Sequence, residues 1–141
     1  MTPTNTRRGG PGGTAAAIVR SARPRQWVKN VLVLAAPALS GRITEPAVLS
    51  ATAVAFVCFC LAASGTYLVN DARDVEADRL HPVKRHRPVA AGELGTRAAY
   101  VAGGALIVVA LLVAVAHGQP LVLVVGAYVV ISLAYCFGLK N

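Results

Sequence analysis

The stretch of sequence that decides the fold is AVLSATAVAFVCFCLAASGTYLVNDARDVEAD, residues 47–78. Its first part, Ala47–Val69, is an uncharged apolar run of 23 residues, and an α-helix needs roughly 20 such residues to cross a bilayer. Its second part, Asn70–Asp78, holds four of the six acidic residues of the chain. We therefore expect a transmembrane helix that carries a cluster of carboxylates at one end.

Two more uncharged blocks follow this stretch, and a weaker block precedes it. Ala98–Ala116 has 19 residues and Gln119–Leu139 has 21, so each is long enough to span a membrane. The weaker block, residues 26–43, is interrupted by Pro37. With a composition that is 55% hydrophobic, these blocks predict an all-α, polytopic transmembrane helix bundle. Its helices are expected at about 26–43, 47–78, 96–116 and 119–139, with a loop at 79–95.

The net charge of +8 is unevenly distributed, and its pattern argues against a nucleic-acid partner. Six basic residues precede or open the weaker block and six lie between the second and third blocks, whereas none lies between the third and fourth. Basic residues concentrate in the cytoplasmic segments of membrane proteins. We expect a multi-pass protein of the cell membrane, with the N-terminus and the acidic segment in the cytoplasm. Residues 1–20, rich in glycine, threonine and proline, are expected to form a disordered cytoplasmic tail.

The spacing of the acidic segment predicts a metal site. On a helix, Asp71, Asp74 and Asp78 follow i,i+3 and i,i+4 steps and share one face, which Asn70 joins. Like charges on one face repel each other, and a divalent cation would relieve that repulsion. Mg²⁺ is typically held by one or two carboxylates together with substrate phosphates. We interpret the cluster as a Mg²⁺–diphosphate site; the alternative is a solvated helix end paired with nearby arginines.

Basic residues near the cluster are candidates for binding phosphate. Lys84, Arg85 and Arg87 follow it directly, and an arginine can hold a phosphate with two parallel hydrogen bonds. They could instead attract anionic lipid headgroups. Lys29 lies inside the weaker block, where it either reaches back to the headgroups or points into the bundle to bind phosphate.

Small residues predict close helix packing. Ser64, Gly65 and Thr66 lie near the end of the second block, and small residues let transmembrane helices approach each other closely. Three cysteines give no disulfide framework, so Cys58, Cys60 and Cys136 are expected to be packing residues. Further positions expected at packing contacts are Ala98, Ala102, Gly103, Gly104, Ala110, Ala114 and Gly126.

The pattern Asn70-Asp71-x-x-Asp74-x-x-x-Asp78 resembles the first aspartate-rich motif of the UbiA superfamily of intramembrane prenyltransferases. Residues 23–31, RPRQWVKNV, and the segments 74–92 and 134–140 are similar to a branch of that superfamily that uses a polyprenyl phosphate as acceptor. The resemblance extends from about Arg23 to Asn141. It implies a ring of about nine helices around a central cavity, of which this chain would supply about four. The second polar motif of the family has no counterpart here, so we expect an N-terminal portion with an incomplete site.

The resemblance also implies a reaction. It is the Mg²⁺-dependent transfer of 5-phosphoribose from phosphoribosyl diphosphate to a polyprenyl (decaprenyl) phosphate, with release of diphosphate, for cell-wall arabinan precursors. Asp71 and Asp74 would be catalytic and would hold Mg²⁺ with Asp78, and the lipid tail would lie between helices, in a chain that could form homo-oligomers. The residues implied in substrate phosphate binding are Asn70, Lys29, Asn30, Lys84, Arg85 and Arg87.

Two other functions remain open at this point. The same site could ionise a prenyl diphosphate and alkylate an aromatic acceptor, as in quinone and haem biosynthesis. A different class is a non-catalytic four-helix membrane protein, such as a transporter subunit. A transporter would place ionisable residues at mid-membrane, where the last three blocks carry none.

Overall fold

The computed structural model describes residues 11–42 and 44–139, and this part of the chain is helical and contains no β-strand. The prediction of an all-α protein is confirmed. Two 3₁₀ helices, Pro24–Leu34 and Lys84–His86, and a π-helical turn, Tyr135–Leu139, accompany the α-helices. The α-helices are α1 (Pro11–Ala22), α2 (Ala35–Leu39), α3 (Pro46–Arg73), α4 (Val75–Leu80), α5 (Thr96–His117) and α6 (Gln119–Ala134).

Three helices are long and apolar enough to cross a membrane: Pro46–Arg73, Thr96–His117 and Gln119–Gly138. Outward-facing side chains such as Leu112 and Val130 are 63% and 66% exposed, which suits contact with lipid tails. The chain is thus a multi-pass membrane protein, and the bounds predicted for the last two spans lie within one residue of these helices.

The weaker block differs from its prediction. Instead of one α-helix over 26–43, the structure has the 3₁₀ helix Pro24–Leu34 followed by the short α2, so the described residues contain three candidate spans and not four. Proline removes a backbone donor and clashes with the preceding turn, so an α-helix cannot run undisturbed through Pro37. Pro37 instead lies in the first turn of α2, where its missing N–H costs no hydrogen bond.

The predicted disordered tail is also corrected in part. Residues 1–10 lie outside the described residues, but Pro11–Ala22 forms α1. An alanine run, residues 15–17, favours the helix. Ala17 is fully buried and packs in a cluster with Leu68 and Leu94, so α1 is fastened to the rest of the molecule by apolar contact.

The helix predicted over 47–78 is broken at Asp74. Helix α3 ends at Arg73, Asp74 takes φ −90° and ψ 9°, and α4 begins at Val75. Helix α4 ends at Leu80, two residues beyond the predicted bound, because His81 is extended (φ −87°, ψ 135°) as a residue before proline prefers to be. The backbone N–H groups of Asp74 and Asp78 still donate to the carbonyls of Asn70 and Asp74, so α4 follows α3 directly.

Helices α3 and α5 cross at two glycines. A Cβ atom on Gly65 would lie 2.6 Å from the carbonyl oxygen of Gly103, and one on Gly103 would lie 2.7 Å from the carbonyl oxygen of Gly65. Only glycine permits this approach, which confirms the predicted packing role of both residues. Ala110 and Ala114 are fully buried as expected, whereas Ala98 is exposed.

The remaining predicted packing positions behave differently. A Cβ on Gly104 or Gly126 would meet nothing within 4 Å, so neither forms a close contact. Gly118 joins α5 to α6 with φ +150°, in the region that favours glycine. It makes the tight turn between the last two helices.

The apolar cluster that contains Ala17 lies at the acidic end of the bundle and holds the elements of the site together. It joins α1, α3, α5 and the connection between α4 and α5 through Ala17, Leu68, Ala72, Val89, Leu94 and Ala99. This cluster brings the N-terminal segment and the basic connection against the end of α3.

Candidate functional site

Asp71 is the centre of the site. Its side chain is only 1% exposed, and its Oδ1 lies 2.7 Å from Arg23 Nη2 and 3.4 Å from Arg87 Nη1. The two arginines come from the turn between α1 and the first 3₁₀ helix and from the connection after α4. A buried carboxylate requires partners of this kind, because an unpaired charge is costly to remove from water.

Asp78 shares one of these arginines. Its Oδ2 lies 3.1 Å from Arg87 Nη1, and its side chain is also buried. Arg87 therefore bridges Asp71 on α3 and Asp78 on α4. Because both carboxylates are buried, the alternative of a solvated helix end does not describe them.

Asp74 and Asn70 lie apart from this bridge. Asp74 Oδ1 is 3.9 Å from Arg73 Nη1, and the thiol of Cys136 donates to Asn70 Oδ1 at 3.4 Å. Asp71 and Asp78 therefore meet at one guanidinium, while Asp74 lies near Arg73. Across residues 11–42 and 44–139, no three His, Cys, Asp or Glu side chains come together as a metal site would require.

A cavity of about 650 Å³ opens beside the carboxylates. Its polar lining is cationic, with Arg23, Lys84 and Arg87, and Asn70 adds an amide. Asp71 is not among the lining residues and lies behind the two arginines. The rest of the wall comes from α3, α6 and the π-helical turn: Thr66, Tyr67, Tyr128, Ile131, Ser132, Tyr135 and Cys136.

This lining is suited to a phosphate-bearing ligand with an apolar part. Guanidinium groups match the geometry of phosphate oxygens. Tyrosine hydroxyls can orient polar groups, while their rings supply apolar surface. The arginines that face the cavity are balanced from behind by buried carboxylates, so their positions are held before any ligand arrives.

Three of the predicted phosphate-binding residues are not brought to the cavity. Lys29 is exposed and does not line it, and Arg85 is exposed on the short 3₁₀ helix. Asn30 Nδ2 donates to Cys60 Sγ at 3.4 Å, so it faces the middle of α3. Of the basic candidates, Lys84 and Arg87 are the two that the fold places at the cavity.

Arg23 is the principal site residue that sequence reasoning missed. Its guanidinium lies 4.5 Å from the ring centroid of Tyr67, in a cation–π contact, while it also binds Asp71. Its backbone is left-handed, with φ 56° and ψ 65°, which is uncommon for a residue other than glycine. The sequence held one signal for a cation at this place. Tyr67 lies four residues before Asp71 and so shares its helix face, where its ring offers a surface to a cation.

Polar contacts fasten the segment that carries Arg23. Trp27 Nε1 donates to Ser64 Oγ at 2.9 Å, and Ser64 Oγ donates to the carbonyl of Ala22 at 3.2 Å. Arg20 forms an ion pair with Glu93 on the connection between α4 and α5. The N-terminal segment is thus held on both sides of Arg23.

Two further arginines fix neighbouring elements. Arg73 lies 5.0 Å from the ring centroid of Phe137 and donates to its carbonyl at 3.2 Å, which ties the π-helical turn to α3. Arg79 Nε donates to the carbonyl of Ala90 at 3.0 Å and ties α4 to the connection that follows.

The donor set fits a hard divalent cation held by two carboxylates. Asp71 and Asp78 place one oxygen each 3.4 and 3.1 Å from Arg87 Nη1, so a cation that replaced this nitrogen would bind both after the oxygens close in to about 2.1 Å. Mg²⁺ usually takes one or two carboxylates and completes its shell with waters and substrate phosphates. The arrangement therefore suits a cation shared with a phosphate ligand better than a cage of three aspartates.

Comparison with known proteins supports the resemblance noted above. The chain is similar to three proteins named decaprenyl-phosphate phosphoribosyltransferase. It is 53% identical to that of Mycobacterium tuberculosis over 135 residues (93% of this chain, 45% of the relative). For Mycolicibacterium smegmatis the identity is 49% over 137 residues (94% of this chain, 43% of the relative). For Corynebacterium glutamicum it is 48% over 143 residues (97% of this chain, 42% of the relative).

The chain therefore spans less than half the length of these relatives. Residues 30–141 match the model of the UbiA prenyltransferase family. That match includes the aspartate-rich segment, the basic connection and the three wall elements α3, α6 and the π-helical turn, whereas Arg23 precedes it. On this evidence the chain belongs to the UbiA prenyltransferase family.

Proposed function

We propose that the chain forms the donor-binding part of an enzyme that transfers 5-phosphoribose from phosphoribosyl diphosphate to a polyprenyl phosphate such as decaprenyl phosphate. The observation that carries this proposal is the cavity lined by Arg23, Lys84 and Arg87 beside two buried carboxylates. The names of the three relatives support the choice of substrates.

The donor carries several negative charges, and the cavity meets them with three cations. Arg23 and Arg87 would bind the diphosphate through charge-assisted hydrogen bonds, and Lys84 would add a point charge. Hydroxyls of Tyr67, Tyr128 and Tyr135 line the same space and would orient the ribose. The apolar walls of α3 and α6 would accommodate the first part of the lipid tail.

The reaction exchanges one bond at the anomeric carbon. An oxygen of the acceptor phosphate forms a bond to that carbon, and the bond from the carbon to the diphosphate oxygen breaks. The electron pair leaves with the diphosphate, whose growing charge Arg23 and Arg87 would stabilise. Holding both phosphates in one cavity makes the attack effectively unimolecular.

Mg²⁺ would be held by Asp71 and Asp78, with Asp74 and Asn70 as further donors. When bound, it would neutralise the charge of the departing diphosphate. A buried pair of carboxylates is suited to this cation because carboxylate oxygens are hard ligands.

The proposal includes an orientation and a pathway. The acidic end of α3 and the basic connection would face the cytoplasm, where soluble phosphoribosyl diphosphate would reach the cavity, since basic segments favour that side. The product lipid would serve as a precursor for cell-wall arabinan. A homo-oligomer would be compatible with this arrangement.

A transfer assay tests the proposal. Membranes that carry the full-length protein would receive phosphoribosyl diphosphate labelled in the ribose, polyprenyl phosphate and Mg²⁺. We expect labelled lipid that disappears when a chelator is added. Consumption of a prenyl diphosphate with an aromatic acceptor, without labelled lipid, would show the other chemistry of the family and refute the phosphoribosyl transfer.

A further inference from the structure

We infer that Arg87 occupies the place of the divalent cation between Asp71 and Asp78, so that the metal and the diphosphate bind together and neither binds tightly alone. The inference rests on the proposed function, because it assumes a metal at these carboxylates. It goes further by giving Arg87 two successive partners: the two carboxylates before the metal binds, and a phosphate in the cavity afterwards.

One nitrogen atom makes both contacts. Arg87 Nη1 lies 3.4 Å from Asp71 Oδ1 and 3.1 Å from Asp78 Oδ2. Mg²⁺ binds oxygens at about 2.0–2.1 Å, so a guanidinium and a metal cannot both lie between these carboxylates. A metal that uses both carboxylates must therefore displace the Arg87 side chain.

The charges of the site favour this exchange only when an anion is present. Arg23, Asp71, Arg87 and Asp78 form a chain of alternating ion pairs, so the buried group is electrically balanced. A divalent cation alone would leave two surplus positive charges in a poorly hydrated place, which is unfavourable. A diphosphate that arrives with the cation restores the balance.

The displaced guanidinium has a place to go. Arg87 already lines the cavity together with Arg23 and Lys84, and its side chain is 26% exposed. Its backbone is extended, with φ −60° and ψ 142°, so it lies outside any helix. A change of side-chain torsions can move the guanidinium from the carboxylates to a phosphate in the cavity without moving α3 or α4. Asp71 keeps Arg23 as its partner.

Manganese binding tests this inference without measuring turnover. Mn²⁺ would be titrated into the full-length protein in detergent, and the free ion followed by electron paramagnetic resonance with and without inorganic diphosphate. For the unchanged protein we expect diphosphate to tighten Mn²⁺ binding by at least about tenfold, within the usual range of coupling between two ligands.

Three variants complete the experiment. In Arg87→Gln we expect Mn²⁺ without diphosphate to bind about five- to tenfold more tightly than in the unchanged protein, and the effect of diphosphate to shrink correspondingly. Arg87→Lys keeps the charge but loses the planar fork, so it should change in the same direction by less. Arg97→Gln removes a charge from an exposed residue that does not line the cavity and should leave both affinities unchanged.

The outcomes separate the inference from the proposed function. If Mn²⁺ binds equally well in the unchanged protein and in both Arg87 variants, with the same effect of diphosphate, the inference is wrong and the metal site stands. If Mn²⁺ fails to bind even with diphosphate in the unchanged protein, the proposed metal site and the inference both fail. If Arg87→Gln does not fold, Arg87→Lys decides, because a similar or weaker affinity without diphosphate contradicts the inference.

Discussion

At the scale of single residues, the site is organised by buried charges that depend on each other. Asp71 contacts two arginines from distant parts of the chain, and Asp78 shares one of them. Asp74, four residues before Asp78, lies 3.9 Å from an arginine next to it in sequence. Aspartates that look equivalent in the motif therefore differ in what their removal would do.

Asp71→Asn should lower the stability of the protein more than Glu76→Gln. Removing the Asp71 charge leaves Arg23 and Arg87 facing each other in a buried place, and breaking a buried ion pair in this way costs about 3–5 kcal/mol. Glu76 is exposed, and substitutions of surface residues usually change stability by at most about 0.5 kcal/mol. Thermal unfolding of the detergent-solubilised variants measures the difference. Equal losses of stability would show that the buried arginines do not depend on Asp71.

At the scale of helices, two kinds of contact position the cavity. The crossing of α3 and α5 depends on backbone approach at Gly65 and Gly103. The N-terminal segment depends on hydrogen bonds from Trp27 and Ser64. The first contact sets the direction of α3 beneath the site, and the second holds Arg23 over it.

Gly65→Ala should weaken the crossing of α3 and α5. The added Cβ would lie 2.6 Å from a backbone oxygen, and overpacking of this kind typically costs about 1–3 kcal/mol. Gly104→Ala is the matched control, because it lies on the same helix as Gly103 and its Cβ meets nothing within 4 Å. We expect a lower melting temperature for the first variant and an unchanged or raised one for the control. A control as unstable as Gly65→Ala would contradict the close crossing.

Trp27→Phe should loosen the segment that carries Arg23. The ring remains, but the hydrogen bond to Ser64 is lost, and one such bond contributes about 1 kcal/mol, or roughly fivefold in the population of the detached segment. Trypsin cleavage at Arg20 or Arg25 should accelerate by that factor. Val28→Ala, at a side chain that is 71% exposed, should not change the rate. Unchanged cleavage of Trp27→Phe would show that the segment is held by other contacts.

At the scale of the whole molecule, the bundle has a chemically distinct end. Three features lie at the end where α3 ends and α5 begins: the buried carboxylates, the cationic cavity and the apolar cluster that contains Ala17. The opposite end has the short turn at His117 and Gly118. This asymmetry underlies the proposed orientation, with the charged end in the cytoplasm.

Cysteine labelling tests that orientation. His117→Cys and Ala91→Cys place thiols at exposed positions at the two ends, while the three native cysteines are buried. In intact cells we expect an impermeant maleimide to label the first variant and to label the second only after permeabilisation. The unchanged protein provides the background. The reverse pattern would overturn the cytoplasmic placement of the site.

Sequence alone determined the class of the protein and the position of its candidate site. Long uncharged runs predict membrane helices because backbone polar groups in lipid must be satisfied within a helix, and three such helices are present. A carboxylate-rich segment followed by basic residues is enough to identify Asp71, Asp78, Lys84 and Arg87 as site candidates. These are properties of local composition and spacing.

Only the tertiary structure decided which candidates meet. Asp71 and Asp78, on either side of the break at Asp74, meet at the guanidinium of Arg87. Arg23 reaches Asp71 across 48 positions, whereas Lys29, six residues from Arg23, stays outside the cavity. The physical reason is that sequence patterns report the faces of single helices, while a buried ion pair depends on where different segments come together. That meeting is set by the packing of small and apolar residues around Gly65, Ala17 and Leu68.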